Sequence, residues 1–224
     1  MTARPPTFHP SSSRRGGTLR LLWPVLAVLL VLGGAWFWQA HRFPQEGSPA
    51  VRFARDMRLH HGQAVELSLH ILERPVSAPV RLLAQDITVT QEAQLGQMGG
   101  WLDIWGLPFS GPDAPMQGMN RAAMGMASDA DVQSLDTLPA RQAEIRYLQL
   151  MLRHHRGGVQ MAQEGLKSGV PPVVTVANAI VVSQTAEIDL ITGMLRERGA
   201  AVPPANGTVA PGSTDGMNGM PMNH

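Results

Sequence analysis

The stretch Phe53-Ala54-Arg55-Asp56-Met57-Arg58-Leu59-His60-His61 recurs as Tyr147-Leu148-Gln149-Leu150-Met151-Leu152-Arg153-His154-His155. Each copy sets an aromatic residue four positions before a methionine, and that methionine three positions before two adjacent histidines. On a helix each residue turns by about 100°, so Phe53, Ala54, His61, Ala64, Ser68 and Ile71 fall within about 60° of Met57. Tyr147, Leu148, Met151, His155, Gly158, Val159 and Ala162 make the same stripe in the second copy. Both segments therefore read as amphipathic helices with a histidine on the inward face.

Working outward, Ser48-Pro49 supplies an N-cap and a first helical residue, and Arg74-Pro75 ends the first helix because an internal proline would break it. A second helix restarts at Ser77-Ala78-Pro79, its body Val80 to Trp105 carrying Leu82, Leu83, Ile87, Leu95, Met98, Leu102 and Trp105. A Gly/Pro-rich loop with Met116, Met119, Met124 and Met126 follows, and Ser128 and Asp131 mark the capping box of a short helix to about Leu135. A third long helix is expected from Pro139 to Ser168, ended by Gly169, and a fourth from Pro172 to Gly199. Ile180, Gln184, Glu187, Ile188 and Leu195 of the fourth correspond to Ile87, Gln91, Gln94, Leu95 and Leu102 of the second. The repeat is thus a whole helical hairpin. Two hairpins with one apolar stripe each predict an all-α fold, a four-helix bundle over residues 48–199 with a Met-rich loop over 106–138.

The flanks differ. Residues 1–20 carry Arg4, Arg14, Arg15 and Arg20 and no acid, which predicts a basic, disordered cytoplasmic segment. Leu21 to Ala40 is uncharged and long enough to cross a bilayer. The arginines before it place the remainder of the chain outside the cytoplasm. Trp36-Phe37-Trp38 lacks the small residues of a cleavage site, so the expectation is a single-pass, uncleaved anchor in the cell membrane, followed by a linker over 41–47. The Pro/Gly-rich tail over 200–224 is expected to be disordered and ends in Met217-Asn218-Gly219-Met220-Pro221-Met222-Asn223-His224.

Composition narrows the chemistry. The chain of 224 residues has a net charge of +1 and 5% aromatic residues, which offers nucleic acid neither charge nor stacking. With no cysteine, thiolate sites and disulfides are excluded. Thirteen methionines and eight histidines remain, and thioether with imidazole suits copper. Met57 with His61, and Met151 with His155, lie four apart and share a direction; His60 and His154 lie on the flank, and Met161 extends the row. Met217, Met220, Met222 and His224 add a soft-metal capture segment. Taken singly, Met57 and Met151 are ordinary packing residues. The doubled His-His is harder to explain without partners, because burying imidazoles is costly. Met98 and Met194 read as core. Glu-x-x-His pairs, His-Glu-x-x-His, Gly-x-Ser-x-Gly and phosphate-cradling loops are all missing, so no catalytic residues are assigned.

These residues carry a family resemblance. Phe53-Ala54-Arg55-Asp56-Met57-x-x-His60-His61-x-Gln63-Ala64-Val65-Glu66 and Tyr147-Leu148-x-x-Met151-x-x-His154-His155-x-Gly157-Gly158-Val159-x-Met161-Ala162 resemble the two signatures of the family called domain of unknown function 305. That family is similar to ferritin-like bundles and includes exported copper-binding proteins of the CopM type. The resemblance implies metal binding through Met and His. Leu67-Ser68 departs from the usual Met-Ala, and Gln94 stands where Glu is usual. Two functions stay open: a membrane-anchored copper-binding protein outside the cytoplasm, or a structural or partner-binding bundle whose histidines form hydrogen-bonded core layers. A homo-oligomer is compatible with either.

Overall fold

The computed structural model describes residues 17–40 and 43–204. Most of the basic segment, and the tail ligands Met217, Met220, Met222 and His224, lie outside the described residues. Among the described residues every regular element is helical: α1 Gly17–Ala40, α2 Pro49–Leu72, α3 Ala78–Ile104, α4 Asp129–Thr137, α5 Ala140–Gly165 and α6 Pro171–Glu197. The chain divides into one unit up to Phe43 and a second from Pro44 onward.

The first unit is α1, whose apolar stretch Trp23–Trp38 leaves Trp23, Leu30, Val31, Trp36 and Trp38 largely exposed. In the second unit α2 packs on α3, α5 packs on α6, and α2 against α5 joins the two hairpins into a helical bundle. Among the described residues, helix α6 is the one long and apolar enough to cross a membrane, yet its Val173, Ala177, Ile180, Ile191 and Leu195 are buried.

Local signals explain the helix ends. Ser48 Oγ accepts from the Val51 N–H at 3.4 Å, with Pro49 as the first helical residue. Ser128 and Asp131 form a reciprocal capping box on α4. Helix α5 tightens into a 3₁₀ turn, Leu166–Ser168, and stops at Gly169 with φ of 71°, a left-handed conformation that costs glycine little. Leu82, expected in the body of the second helix, is 60% exposed, so it sits in α3 without contributing to the core.

The core falls into two apolar clusters. One gathers Leu67, Ile71, Leu83, Ile87, Leu135, Tyr147, Met151 and Leu195 with their neighbours. The other gathers Val51, Met57, Met98, Leu102, Met126, Met161, Val173 and Ile180. On α2 the second cluster ends at Met57 and the first begins at Ala64; on α5 the order is reversed, from Leu152 to Met161. The breaks hold His60 and His61 on one helix and His154 and His155 on the other. Helices α3 and α6 break likewise, between Ile87 and Met98 and between Ile180 and Ile191, at Gln91 and Gln184. A polar layer therefore crosses the middle of the bundle.

The connection between the hairpins is held on one stripe of α2. Asp56 Oδ1 accepts from the Met116 N–H at 2.6 Å, His60 Nε2 bonds the Met124 carbonyl at 3.1 Å, and Gln63 bonds both backbone groups of Ala127. Opposite, the loop backbone lies directly on α5, where a Cβ at Gly157 would overlap the Met124 carbonyl and one at Gly125 would overlap the Arg153 carbonyl. The tail expected to be loose from residue 200 is fixed for its first residues: Gln149 donates to the Ala201 carbonyl at 2.9 Å, and Arg156 donates to those of Pro203 and Pro204 at 2.7 and 2.8 Å.

Gly157→Ala is expected to destabilise the bundle by about 1–3 kcal/mol, since a backbone carbonyl cannot swing aside as a flexible side chain can. Gly62→Ala, whose added Cβ meets nothing within 4 Å, is expected instead to stabilise by about 0.5–1 kcal/mol. Urea unfolding of the two variants measures both.

Candidate metal centre

Four imidazoles, those of His60, His61, His154 and His155, are completely buried in the polar layer. The His60 and His154 rings approach to 3.7 Å between centroids at 31°, across the junction of α2 and α5. His61 and His155 instead bond the partner helix of their own hairpin. His61 Nε2 lies 2.6 Å from Gln94 Oε1 on α3, and His155 Nε2 lies 2.6 Å from Glu187 Oε2 on α6. The helical projection favours His61 and His155 as the inward pair, but the structure buries both members of each pair. Adjacent residues diverge by about 100°, and α2 and α5 each have a packed neighbour in both directions.

The hydrogen bonds set the tautomers. Met124 O, Gln94 Oε1 and Glu187 Oε2 are acceptors, so the Nε2 atoms of His60, His61 and His155 carry the protons and donate them. In the neutral rings of His60 and His61 the Nδ1 atoms are then bare lone pairs, and the Nδ1 atoms of all three histidines are buried without a hydrogen-bond partner. Both ring nitrogens of His154 and both amide atoms of Gln91 and Gln184 are likewise unpartnered. Such unpaired buried polar groups cost about 1–3 kcal/mol each. An imidazole whose one N–H is held by a carbonyl or carboxylate while the other nitrogen stays free is the arrangement that orients a metal ligand. Among the described residues, no three His, Asp or Glu side chains are arranged to hold one ion. The layer thus fits a metal in the chemistry and tautomers of its donors, while closing on an ion requires the rings to turn. The terminal torsion of histidine is soft enough for that.

Burial controls the charge of these rings. It pushes His60 down to about 4 against the opposing pull of its bond to Met124. Burial pushes His61 down to about 3, helped by the neighbouring His60 and opposed by the Gln94 bond. His154 is also held well below the ordinary histidine value, first by burial and then by the surrounding imidazoles. All three rings are neutral at pH 7, the form that ligates metal.

The thioethers are placed differently. Met57 and Met151 are fully buried, but each belongs to a different apolar cluster, as do the core residues Met98 and Met194. Met161 joins the cluster of Met57 and lines a surface cavity with Met119 and Met124. The layer residues that the histidine motif does not announce are Gln91, Gln184 and the Met124 carbonyl. The two glutamines did leave a signal, since they correspond across the hairpins and are each 2% exposed. At Gly158 an added Cβ would overlap Gln184 Oε1 and come 3.2 Å from His60 Cε1, so this glycine makes room for both.

Fold and layer together define a duplicated helical bundle built around buried imidazoles. The chain belongs to the family Domain of unknown function (DUF305), whose profile matches residues 50–220. It is similar to a DUF305 protein of Streptomyces coelicolor at 46% identity and a TM-score of 0.66, covering 70% of this chain and 98% of that one. A DUF305 fragment from Deinococcus radiodurans is 41% identical, with a TM-score of 0.62 and coverage of 69% and 99%. CopM in its Cu(II)-bound form shares the fold at 23% identity and a TM-score of 0.56, over 68% of this chain and 99% of that one. No match is found among curated proteins.

The metal-free protein is expected to lose stability as pH falls. The folded-state values of His60 and His61 are depressed to about 4 and about 3, so below the unfolded value of 6.5 the unfolded chain binds more protons. Stability is fully present above that value and falls by about 1.4 kcal/mol per pH unit for each such histidine. Urea midpoints at pH 7, 6 and 5 measure the slope, and His61→Gln is expected to reduce it by one proton.

Proposed function

We propose that this protein binds copper in the polar layer of a four-helix, ferritin-like bundle. The observation that carries the reading is a shared geometry: three buried histidines each turn Nε2 to an oxygen acceptor and leave Nδ1 buried without a hydrogen-bond partner. A purely structural layer would pair those nitrogens, since unpaired buried nitrogens destabilise a core. His60, His61 and His155 are the proposed ligands through Nδ1, with His154 supplying either nitrogen. Neutral imidazole suits copper and zinc alike, and the same fold in CopM, which has Cu(I)- and Cu(II)-bound forms, favours copper. Met57, Met151 and Met161 are proposed to pack around the layer and not to ligate within it.

The proposal includes location. Helix α1, with its exposed tryptophans and leucines, anchors the protein in the cell membrane, and the bundle lies outside the cytoplasm. The motivating features are the uncharged run Leu21 to Ala40 and the arginines before it.

Copper is expected to raise the melting temperature, because a ligand of the native state stabilises it. His60→Ala with His155→Ala is expected to abolish that rise in a titration against a chromophoric chelator. Glu187→Gln removes only the carboxylate behind His155, and is expected to weaken copper about 10-fold or more while the fold persists. A melting curve indifferent to copper and zinc would refute the reading.

A further inference from the structure

We infer that Met119, Met124 and Met161 form a second site, a solvent-reached cluster of thioethers that takes a soft univalent cation, Cu(I) or Ag(I), beside the polar layer. The three line one cavity of about 510 Å³, walled by the start of α2, the loop between the hairpins and the end of α5. The inference takes its ion from the copper reading above and uses no nitrogen of the layer. Packing accounts for the neighbouring methionines of the loop and not for these. Met116 and Met126 are 2% and 9% exposed and belong to the apolar cluster of Met57, so they pin the loop at two points. Between them Met119 stays 43% exposed and Met124 half-buried. A side chain left that open withdraws little apolar surface from water, so its burial does not explain its place. Met161 is the buried member of the three.

The backbone fixes the middle residue of the set. Gly125, with φ of 75°, lies against the Arg153 carbonyl, and the Met124 carbonyl occupies the space that a Cβ at Gly157 would fill. That same carbonyl accepts from His60 Nε2 at 3.1 Å. One residue therefore gives the cavity a sulfur and gives the layer the oxygen that orients a ring. Met161, seven residues after His154, stands two turns along the same face of α5. The charges around the cavity are engaged or cancelled. Asp56 Oδ1 accepts from the Met116 N–H at 2.6 Å, and Glu164 Oε1 pairs with Lys167 Nζ at 2.7 Å, while Arg52 lines the same wall. Two carboxylates so occupied are too few for a hard cation, which takes about six oxygens. Thioether sulfur is the soft donor that selects Cu(I). Methionine turns about three bonds, so the two more exposed side chains can close on an ion held against Met161.

The full chain in mild detergent provides the test, with ¹³C in the methionine ε-methyl groups and Ag(I) as the probe. Met217→Leu, Met220→Leu and Met222→Leu are present in every sample, so that no other run of sulfurs competes. Ag(I) is expected to move the methyl resonances of Met119, Met124 and Met161 together, saturating at one equivalent, and to leave those of Met98 and Met194 in place. Methyls of the three that stay unmoved would overturn the inference. Met119→Leu, Met124→Leu and Met161→Leu combined keep the side-chain volume and remove the sulfur, and an unchanged metal-free melting curve shows that the fold persists. That variant is expected to lose one equivalent of Cu(I) in titration against a chromophoric chelator under reducing conditions, whereas Met98→Leu with Met194→Leu loses none. A triple variant that keeps its full complement of Cu(I) would also overturn it. His60→Ala with His155→Ala is expected to abolish binding in the layer while the three methyl shifts remain, so the two readings fail separately.

Discussion

Burying an imidazole without giving its second nitrogen a partner is unfavourable, and this bundle does so four times in one layer. The rest of the architecture is arranged around that constraint. Two apolar clusters, above and below the layer in sequence order on every long helix, supply the favourable burial that offsets it. Three acceptors from three elements, the Met124 carbonyl of the loop, Gln94 of α3 and Glu187 of α6, each hold one ring by its Nε2. Glycines do the complementary task of letting atoms approach: Gly158 admits Gln184 and His60, and Gly157 admits the loop that brings the Met124 carbonyl.

The duplication gives the two hairpins equivalent roles in packing and unequal roles in chemistry. Ile87 and Ile180, Gln91 and Gln184, and Leu102 and Leu195 are matched and buried alike. At the next matched position an amide, Gln94, stands opposite a carboxylate, Glu187. The two hairpins thus hold their histidines through chemically different acceptors.

Much of this was legible in the sequence because helix periodicity is a local property. Ser48-Pro49, the Ser128–Asp131 box and Gly169 each act within a turn of their own position, and they fixed where α2, α4 and the end of α5 fall. The inward orientation of His60 and His154 was not legible from one stripe, because a single projection assumes one packed neighbour. Each motif helix has two, and the second neighbour is a fact of tertiary packing. The Met124 carbonyl had no residue-type signature, being a backbone atom delivered by a loop across sixty-four positions of sequence. The unpaired amides of Gln91 and Gln184 were visible as a correspondence, but an amide on a helix reads as surface until burial is known.

The single carboxylate behind the layer has an electrical consequence. His60, His61 and His154 are held neutral by burial, and Gln94 carries no ionisable group where its counterpart Glu187 does. The replacement of one acid by one amide between two copies of a hairpin thus makes a repeated architecture electrically unsymmetrical at its centre.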